Sequence, residues 1–220
     1  RNKKRNNKNI NWIKCSLDNL IRYKKKIITF NPDCLIHLAW EGIPVFSKTN
    51  CKKNLFMSKS LIKLLIASTN INKIIISGTC FEYKNDQGEC YENTEIKPKN
   101  EFIKSKLKLY RFVNKLTTNK KINFYWLRLF YVYGPGQRRE SLIPFCINKI
   151  KRGFFPSIKN PQNKNDFIYV KDVAKAILLF IKKKPNSGIY NVGSGKPIIL
   201  KSLIELIWIK IQKKKNKIKD

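Results

Sequence analysis

Phe102 and Lys106 stand four residues apart in the stretch Asn100 to Leu116, whose apolar spacing predicts a helix, so both side chains leave one face of it. An amine so placed can hold a hydroxylated ligand and lower the pKa of an acid beside it, whereas a phenyl ring has no proton to give or take. Thr79, 23 residues before Phe102, follows the predicted strand Lys73 to Ser77 and offers a hydroxyl at its end. Taken singly, Lys106 is one of 47 basic residues and reads as a surface lysine, so its weight comes from its surroundings. The single histidine, His37, reads as a core residue at a strand end, and Asp172 as the anchor of its helix rather than an acid. The six cysteines, at 15, 34, 51, 80, 90 and 146, contain no C-x-x-C pair, so no metal site is expected.

The elements that must position these groups follow from periodicity. Residues 10–15 alternate as a strand, and Ser16 is a candidate N-cap for a helix to about Lys25. Cys34 to Trp40 is a continuous apolar run, typical of a strand covered on both faces. A helix over Lys52 to Ser68, the strand Lys73 to Ser77, the helix Asn100 to Leu116 and a strand Asn123 to Phe130 come next. That alternation predicts an α/β fold with a doubly wound parallel sheet, whose sites lie at the carboxyl ends of the strands and so put Trp40, Thr79 and Tyr131 on one rim. After the turn Tyr133-Gly-Pro-Gly136 the pattern is less regular. It gives a helix Ser141 to Arg152, a strand Asp166 to Val170, a helix Lys171 to Lys183, a strand Gly188 to Val192 and a last helix from Lys201. The chain therefore divides into 1–133 and 134–220, with 166–192 expected to pack back on the first sheet.

Composition sets limits. With 220 residues and 42% hydrophobic content the chain can bury a core. Lys and Arg number 47 against 14 Asp and Glu, a formal charge of +33, which raises nucleic acid as a partner. The lysines are spread over nearly every segment with abundant Asn and Ile, so they read as a solvated surface. Dense basic runs stand only at Arg1-Asn-Lys-Lys-Arg5 and Lys213-Lys-Lys-Asn-Lys217. No apolar run reaches transmembrane length and free thiols suit a reducing compartment, so a cytoplasmic location with no membrane partner is expected.

Six segments carry a resemblance in order and spacing: Leu35-Ile-His-Leu-Ala39, Ile76-Ser-Gly-Thr79, Ser105-Lys-Leu107, Leu127-Arg-Leu-Phe-Tyr-Val-Tyr-Gly-Pro-Gly136, Asp166-Phe-Ile-Tyr-Val-Lys-Asp-Val-Ala174 and Tyr190-Asn-Val-Gly-Ser-Gly195. Together they resemble the extended short-chain dehydrogenase/reductases, the NAD-dependent epimerase/dehydratases of nucleotide sugars. His37-Leu-Ala-Trp-Glu-Gly42 and Gly78-Thr-Cys-Phe-Glu-Tyr83 look most like its 4-ketoreductase branch. The resemblance implies a Rossmann-like sheet, here lacking its first strands, with a smaller C-terminal substrate-binding part. It also implies NAD or NADP as cofactor, a dTDP-, GDP-, CDP- or UDP-linked sugar as ligand, hydride transfer at the sugar's C4, and a homodimer as an open option.

In the family's pattern Thr79 would bind the sugar's 4-oxygen, Lys106 would hold the nicotinamide ribose, and position 102 would carry the acid/base tyrosine. Leu38, Ala39 and Trp40 would line the cofactor, and Tyr131 and Val132 would lie near its nicotinamide. Ser141 and Leu142 would face the nucleotide sugar, with Lys164 near a place where members carry an arginine that pairs with diphosphate. Dehydratases need an Asp-Glu pair directly after the strand-end threonine; Cys80-Phe81 stand there, which argues against elimination. Three departures bear on activity. Phe102 replaces the tyrosine, and none of the nine tyrosines is followed four residues later by lysine. No Gly-x-x-Gly-x-x-Gly loop occurs, so the sequence reads as joining a fold already under way. The last substrate-binding segment of the family would lie beyond Asp220. Water, or Tyr91 from the loop before Phe102, is the candidate substitute for the missing acid. A non-catalytic relative that keeps the ligand site and a basic nucleic-acid-binding protein are the other readings.

Overall fold

A computed structural model of the chain describes residues 9–84 and 88–216. The basic run at Arg1 to Arg5, and Lys217 of the second run, lie outside the described residues. The strands are β1 (Cys34–His37), β2 (Lys73–Thr79), β3 (Asn123–Leu129), β4 (Tyr131–Tyr133), β5 (Lys164–Tyr169), β6 (Gly188–Val192) and β7 (Pro197–Ile199). The helices are α1 (Leu20–Phe30), α2 (Lys48–Ser68), α3 (Glu101–Thr117), α4 (Leu142–Lys151), α5 (Val170–Lys183) and α6 (Leu200–Asn216).

The main sheet is parallel with the order β1-β2-β3-β6. Successive strand residues face opposite sides and both sides are covered, which explains why the middles of β2 and β3, residues 74–76 and 124–127, are buried runs of large apolar and aromatic side chains. Ile74, Ile76, Phe124 and Trp126 pack on one side against Leu61, Ile62 and Leu65 of α2 and Leu109 and Val113 of α3. Ile75, Tyr125 and Leu127 pack on the other side against Val173 and Ile177 of α5. The predicted doubly wound α/β arrangement is what the chain forms. β6 returns from the second half of the chain to pair with β3, Tyr125 standing opposite Gly188.

A smaller sheet, β4-β5-β7, leaves the first one at Phe130. The predicted single strand Asn123 to Phe130 thus ends at Leu129, and Tyr131 to Tyr133 pair with Phe167 to Tyr169 instead. Next to this sheet α4 and α6 bury Cys146, Ile150 and Ile204. β7, which pairs antiparallel with β5, is not apparent from the sequence pattern, since its three residues are too few to show a period.

The N-terminal region departs most from expectation. Residues 10–15 form no strand; they run as irregular chain, with Trp12 69% exposed. Alternation without a neighbouring strand cannot satisfy backbone hydrogen bonds, and among the described residues β1 is paired on one side only, by β2. β1 also stops at His37, three residues short of the apolar run, and Ile36 is 42% exposed, so it is not covered on both faces. Beside it lies an open groove of about 1350 Å³ lined by Trp12, Ile27, Phe30, Leu35 and Leu65 among others. Among the described residues no helix is long and apolar enough to cross a membrane.

Candidate functional site

Lys106 sits on the inner face of α3, a helix whose first turn is capped by Asn100 Oδ1 accepting from Ile103 N at 3.0 Å. Its stem is buried with Ile103 and Leu107, and its Nζ donates to Ser77 O at the end of β2, 2.8 Å away. The ammonium lies 4.4 Å from the centre of the Trp40 ring and 5.8 Å from that of Phe102. Burial pulls its pKa down to about 8, opposed by the Glu82 carboxylate. Phe102 is itself enclosed, stacked on Phe46 at 4.6 Å with 21° between planes and edge-on to Trp40 at 5.4 Å. Phe102 is thus part of an aromatic cluster over the lysine.

The loop after β1 that carries Trp40 is held by polar bonds at Glu41. Asn54 of α2 accepts from Glu41 N at 2.8 Å and donates to Glu41 O at 3.0 Å, which bends the chain away from β1 and ends the strand early. One turn on, Ser58 Oγ donates to Asn54 O at 2.7 Å, so the same oxygen accepts the proton of His37 Nε2 at 2.8 Å. His37 is thus a buried neutral ring, with its pKa driven down to about 4 by burial first and by Lys106 second. Leu38 and Ala39 lie exposed beyond the end of the strand.

Thr79 is fixed by its own short turn. Its N–H donates to Glu82 Oε1 at 3.0 Å and its Oγ1 accepts from Phe81 N at 3.3 Å, a reciprocal capping box. Glu82 is fully buried and also accepts from Trp126 Nε1 and, at 2.8 Å, from Arg128 Nε, both on β3. Arg128 in turn donates to Glu92 O at 2.9 Å and lies 4.6 Å over the Tyr83 ring. Gly78 makes the close approach workable: a Cβ there would stand 2.3 Å from Trp126 Nε1 and 2.8 Å from Glu82 Oε1.

A cavity of about 340 Å³ opens at the strand ends, between the main sheet and the smaller one. Of the residues singled out in the sequence, Thr79, Tyr131, Val132, Ser141 and Leu142 line it together, with Cys80 and Phe81. Phe102, Lys106 and Trp40 form the adjoining cluster and are joined to this wall through Ser77, two residues before Thr79. Lys164 is exposed and off the lining, whereas its neighbour Asn165 is on it. Burial pushes the Cys80 thiol up to about 12. Tyr91 is 60% exposed and bonded to Glu89 in its own loop. Among the described residues no group of three His, Cys, Asp or Glu side chains comes together to hold a metal ion.

Sequence reasoning overlooked Glu82, Arg128, Phe46 and Gln137. The spacing Thr79-x-x-Glu82 is the capping-box signature and was open to view. Phe46 and Gln137 carry no such mark: Phe46 meets a ring 56 positions away, and the local bonds of Gln137 follow no spacing rule.

The NAD dependent epimerase/dehydratase family matches residues 1–193. The chain is 31% identical over 219 residues to the dTDP-4-dehydro-6-deoxyglucose reductase of Escherichia coli, covering 93% of this chain and 68% of that protein. It is 27% identical over 190 residues to the NAD(+)-dependent dTDP-6-deoxy-L-talose 4-dehydrogenase of Aggregatibacter actinomycetemcomitans, covering 84% of this chain and 69% of that protein. Among solved structures, the UDP-N-acetylglucosamine 4-epimerase of Methanobrevibacter ruminantium, in complex with UDP-N-acetylmuramic acid, superposes with a TM-score of 0.77 at 26% identity, covering 88% of this chain and 64% of that one. This sheet, this rim and these relatives define a nucleotide-sugar epimerase, dehydratase or reductase fold. The chain belongs to the NAD dependent epimerase/dehydratase family and spans about two thirds of the length of these relatives.

The residues present fit one half of the family's cofactor. Lys106, held by Ser77 O near the end of β2 with Trp40 beside it, is a cation with hydrogens that a ribose hydroxyl can accept, and Leu38 and Ala39 before Trp40 are exposed. For the pyrophosphate the family uses a glycine-rich turn into a helix N-terminus, and no such turn occurs among these 220 residues.

Proposed function

We propose that the chain acts at C4 of a nucleotide-activated deoxysugar, as a 4-ketoreductase or epimerase, with its proton-transfer step impaired. One observation carries this reading: Lys106 and Thr79 stand at the end of the same strand, but the side chain four residues before the lysine is a phenyl ring. NAD or NADP, when bound, supplies or takes the hydride. Thr79 donates or accepts a hydrogen bond at the sugar's 4-oxygen, held in place by Glu82. Lys106 holds the nicotinamide ribose, with Leu38, Ala39, Trp40, Tyr131 and Val132 around the cofactor. Ser141 and Leu142 contact the nucleotide sugar, and Lys164 reaches its diphosphate from the exposed rim. The sugar's nucleotide is dTDP, GDP, CDP or UDP. Cys80 stays protonated at neutral pH and cannot serve as a base, which agrees with hydride transfer rather than elimination. We divide the chain after Tyr133 into a cofactor part and a substrate part, and place it in the cytoplasm, where its six free cysteines stay reduced.

Loss of a general acid/base costs about two to four orders of magnitude. The test is a nicotinamide absorbance assay with dTDP-4-keto-sugars, comparing the unmodified chain with Phe102→Tyr. The tyrosine variant should be faster by about 10²- to 10⁴-fold. Equal and measurable rates would show that position 102 does not hold the acid.

A second reading is favoured by the packing of Phe102 between Phe46 and Trp40, which gives the ring a structural purpose. In it the chain is a sugar-nucleotide-binding relative without turnover. It then binds dTDP-glucose with measurable heat, yet neither the unmodified chain nor Phe102→Tyr transfers hydride.

A further inference from the structure

Gln137 follows the turn Gly134-Pro135-Gly136, and two bonds fix its position. Its backbone N–H donates to Gly134 O at 3.2 Å and its Nε2 donates to Val132 O at 3.1 Å. Because Val132 O needs a donor, the amide nitrogen is the atom turned to it, and the amide oxygen faces the other way. Among the described residues, Gln137 Oε1 is the side-chain polar atom that is shielded from water and has no hydrogen-bond partner. An acceptor left in that state costs about 1–3 kcal/mol, so it calls for an explanation.

Gln137 lines the 340 Å³ cavity, together with the hydroxyls of Thr79 and Ser141, the amide of Asn165 and the rings of Phe81 and Phe167. This volume is at the small end of ligand cavities, roughly 300–1,000 Å³, and takes one ring rather than a whole nucleotide sugar. An unpaired carbonyl oxygen repels phosphate and selects a donor. Several short polar groups set among aromatic faces suit a ring that carries several hydroxyls. We propose that Gln137 is a specificity-determining residue whose amide oxygen accepts a hydrogen bond from a ring hydroxyl of the bound sugar. The inference rests on the sugar-nucleotide reading above and adds to it the group that senses the hydroxyl. The oxygen is closed to water, so the side chain turns slightly as the ring enters, about a terminal torsion that is broad and soft. A site built to accept a hydroxyl proton discriminates against sugars that lack it, since the buried oxygen then stays unpaired.

The test is calorimetric titration of dTDP, dTDP-glucose and NAD into the full chain and into Gln137→Met and Gln137→Asn, with a thermal melt of each. In Gln137→Met the affinity for dTDP-glucose should fall about tenfold while that for dTDP and NAD is unchanged. Its melting midpoint should equal or exceed that of the unmodified chain, because an orphan acceptor has been removed along with one ordinary hydrogen bond. Gln137→Asn, shorter by one methylene, should lose sugar affinity in the same direction and serves if the methionine variant does not fold. Unchanged dTDP-glucose binding, an equal loss for dTDP, or a loss confined to NAD would overturn the assignment, as would marked destabilisation of both variants. An unmodified chain that binds neither dTDP nor dTDP-glucose overturns the sugar-nucleotide reading itself, and this inference with it.

Discussion

Lys106 illustrates how a single buried charge carries both site and stability. Its pKa is lowered from the usual lysine value to about 8, so the unfolded chain binds more protons than the folded one above that pH. Stability should therefore rise as pH increases from about 8 toward 10.5, by up to roughly 3 kcal/mol from this residue. Lys106→Met removes that dependence. The difference in unfolding free energy between the unmodified chain and Lys106→Met, measured by denaturant titration across this window, should shift in favour of the lysine as pH rises. A constant difference would contradict the burial. His37 acts at the other end of the scale: with its pKa lowered to about 4, stability should be lost as pH falls from 6.5 toward 4. His37→Gln should flatten that acid limb, read by the same titrations. Phe102 and Lys106 were legible in the sequence because helical spacing alone puts them on one face. That Phe102 lies under Phe46 was not legible, since the pair is joined only by the path of the loop after β1.

At the scale of elements, β2, the turn after it and β3 act as a unit through Glu82. The carboxylate is paired with Arg128 in a fully buried setting, so removing either partner leaves a charge without compensation. Glu82→Gln should destabilise the fold by about 3–5 kcal/mol. The double variant Glu82→Gln, Arg128→Met should lose less than the sum of the two single changes, a coupling that thermal or urea unfolding would measure. Strict additivity would mean the pair is not coupled. Glu82→Gln should also loosen Thr79, because the same oxygen accepts the threonine N–H. The parallel alternation and the main helices could be read from periodicity. The strand expected at 10–15 could not be tested that way, because alternation reports which residues are apolar and not whether a neighbouring strand exists to pair with them. The same limit hid the break at Phe130, where one apolar run serves two sheets.

For the whole molecule, the formal charge of +33 sets the long-range behaviour. Lysines in excess of carboxylates repel one another, and the ion pairs of the described residues are mostly exposed ones that add little. Raising ionic strength from about 0.01 M to 0.15 M shortens the screening length from about 30 Å to 8 Å. The melting midpoint should therefore rise with salt, and any affinity for DNA should fall steeply over the same range. A midpoint that drops with salt would point instead to stabilising surface pairs.

The order of strands and helices, the family's motif spacing, the phenyl ring four residues before Lys106 and the basic charge are properties of the residues in line. They were determined by the sequence by itself, since each depends on residue type and on separations of a few positions. Tertiary structure alone decided which polar groups meet. Glu82 gains Trp126 and Arg128 from a strand 44 and 46 residues away, and Lys106 reaches Ser77 O over 29 residues. Gln137, on a cavity wall shared by both sheets, is left with a buried amide oxygen that has no partner. Periodicity encodes which face of an element is buried; only the packing of one element on another determines which donor finds which acceptor, and which acceptor is left for a ligand.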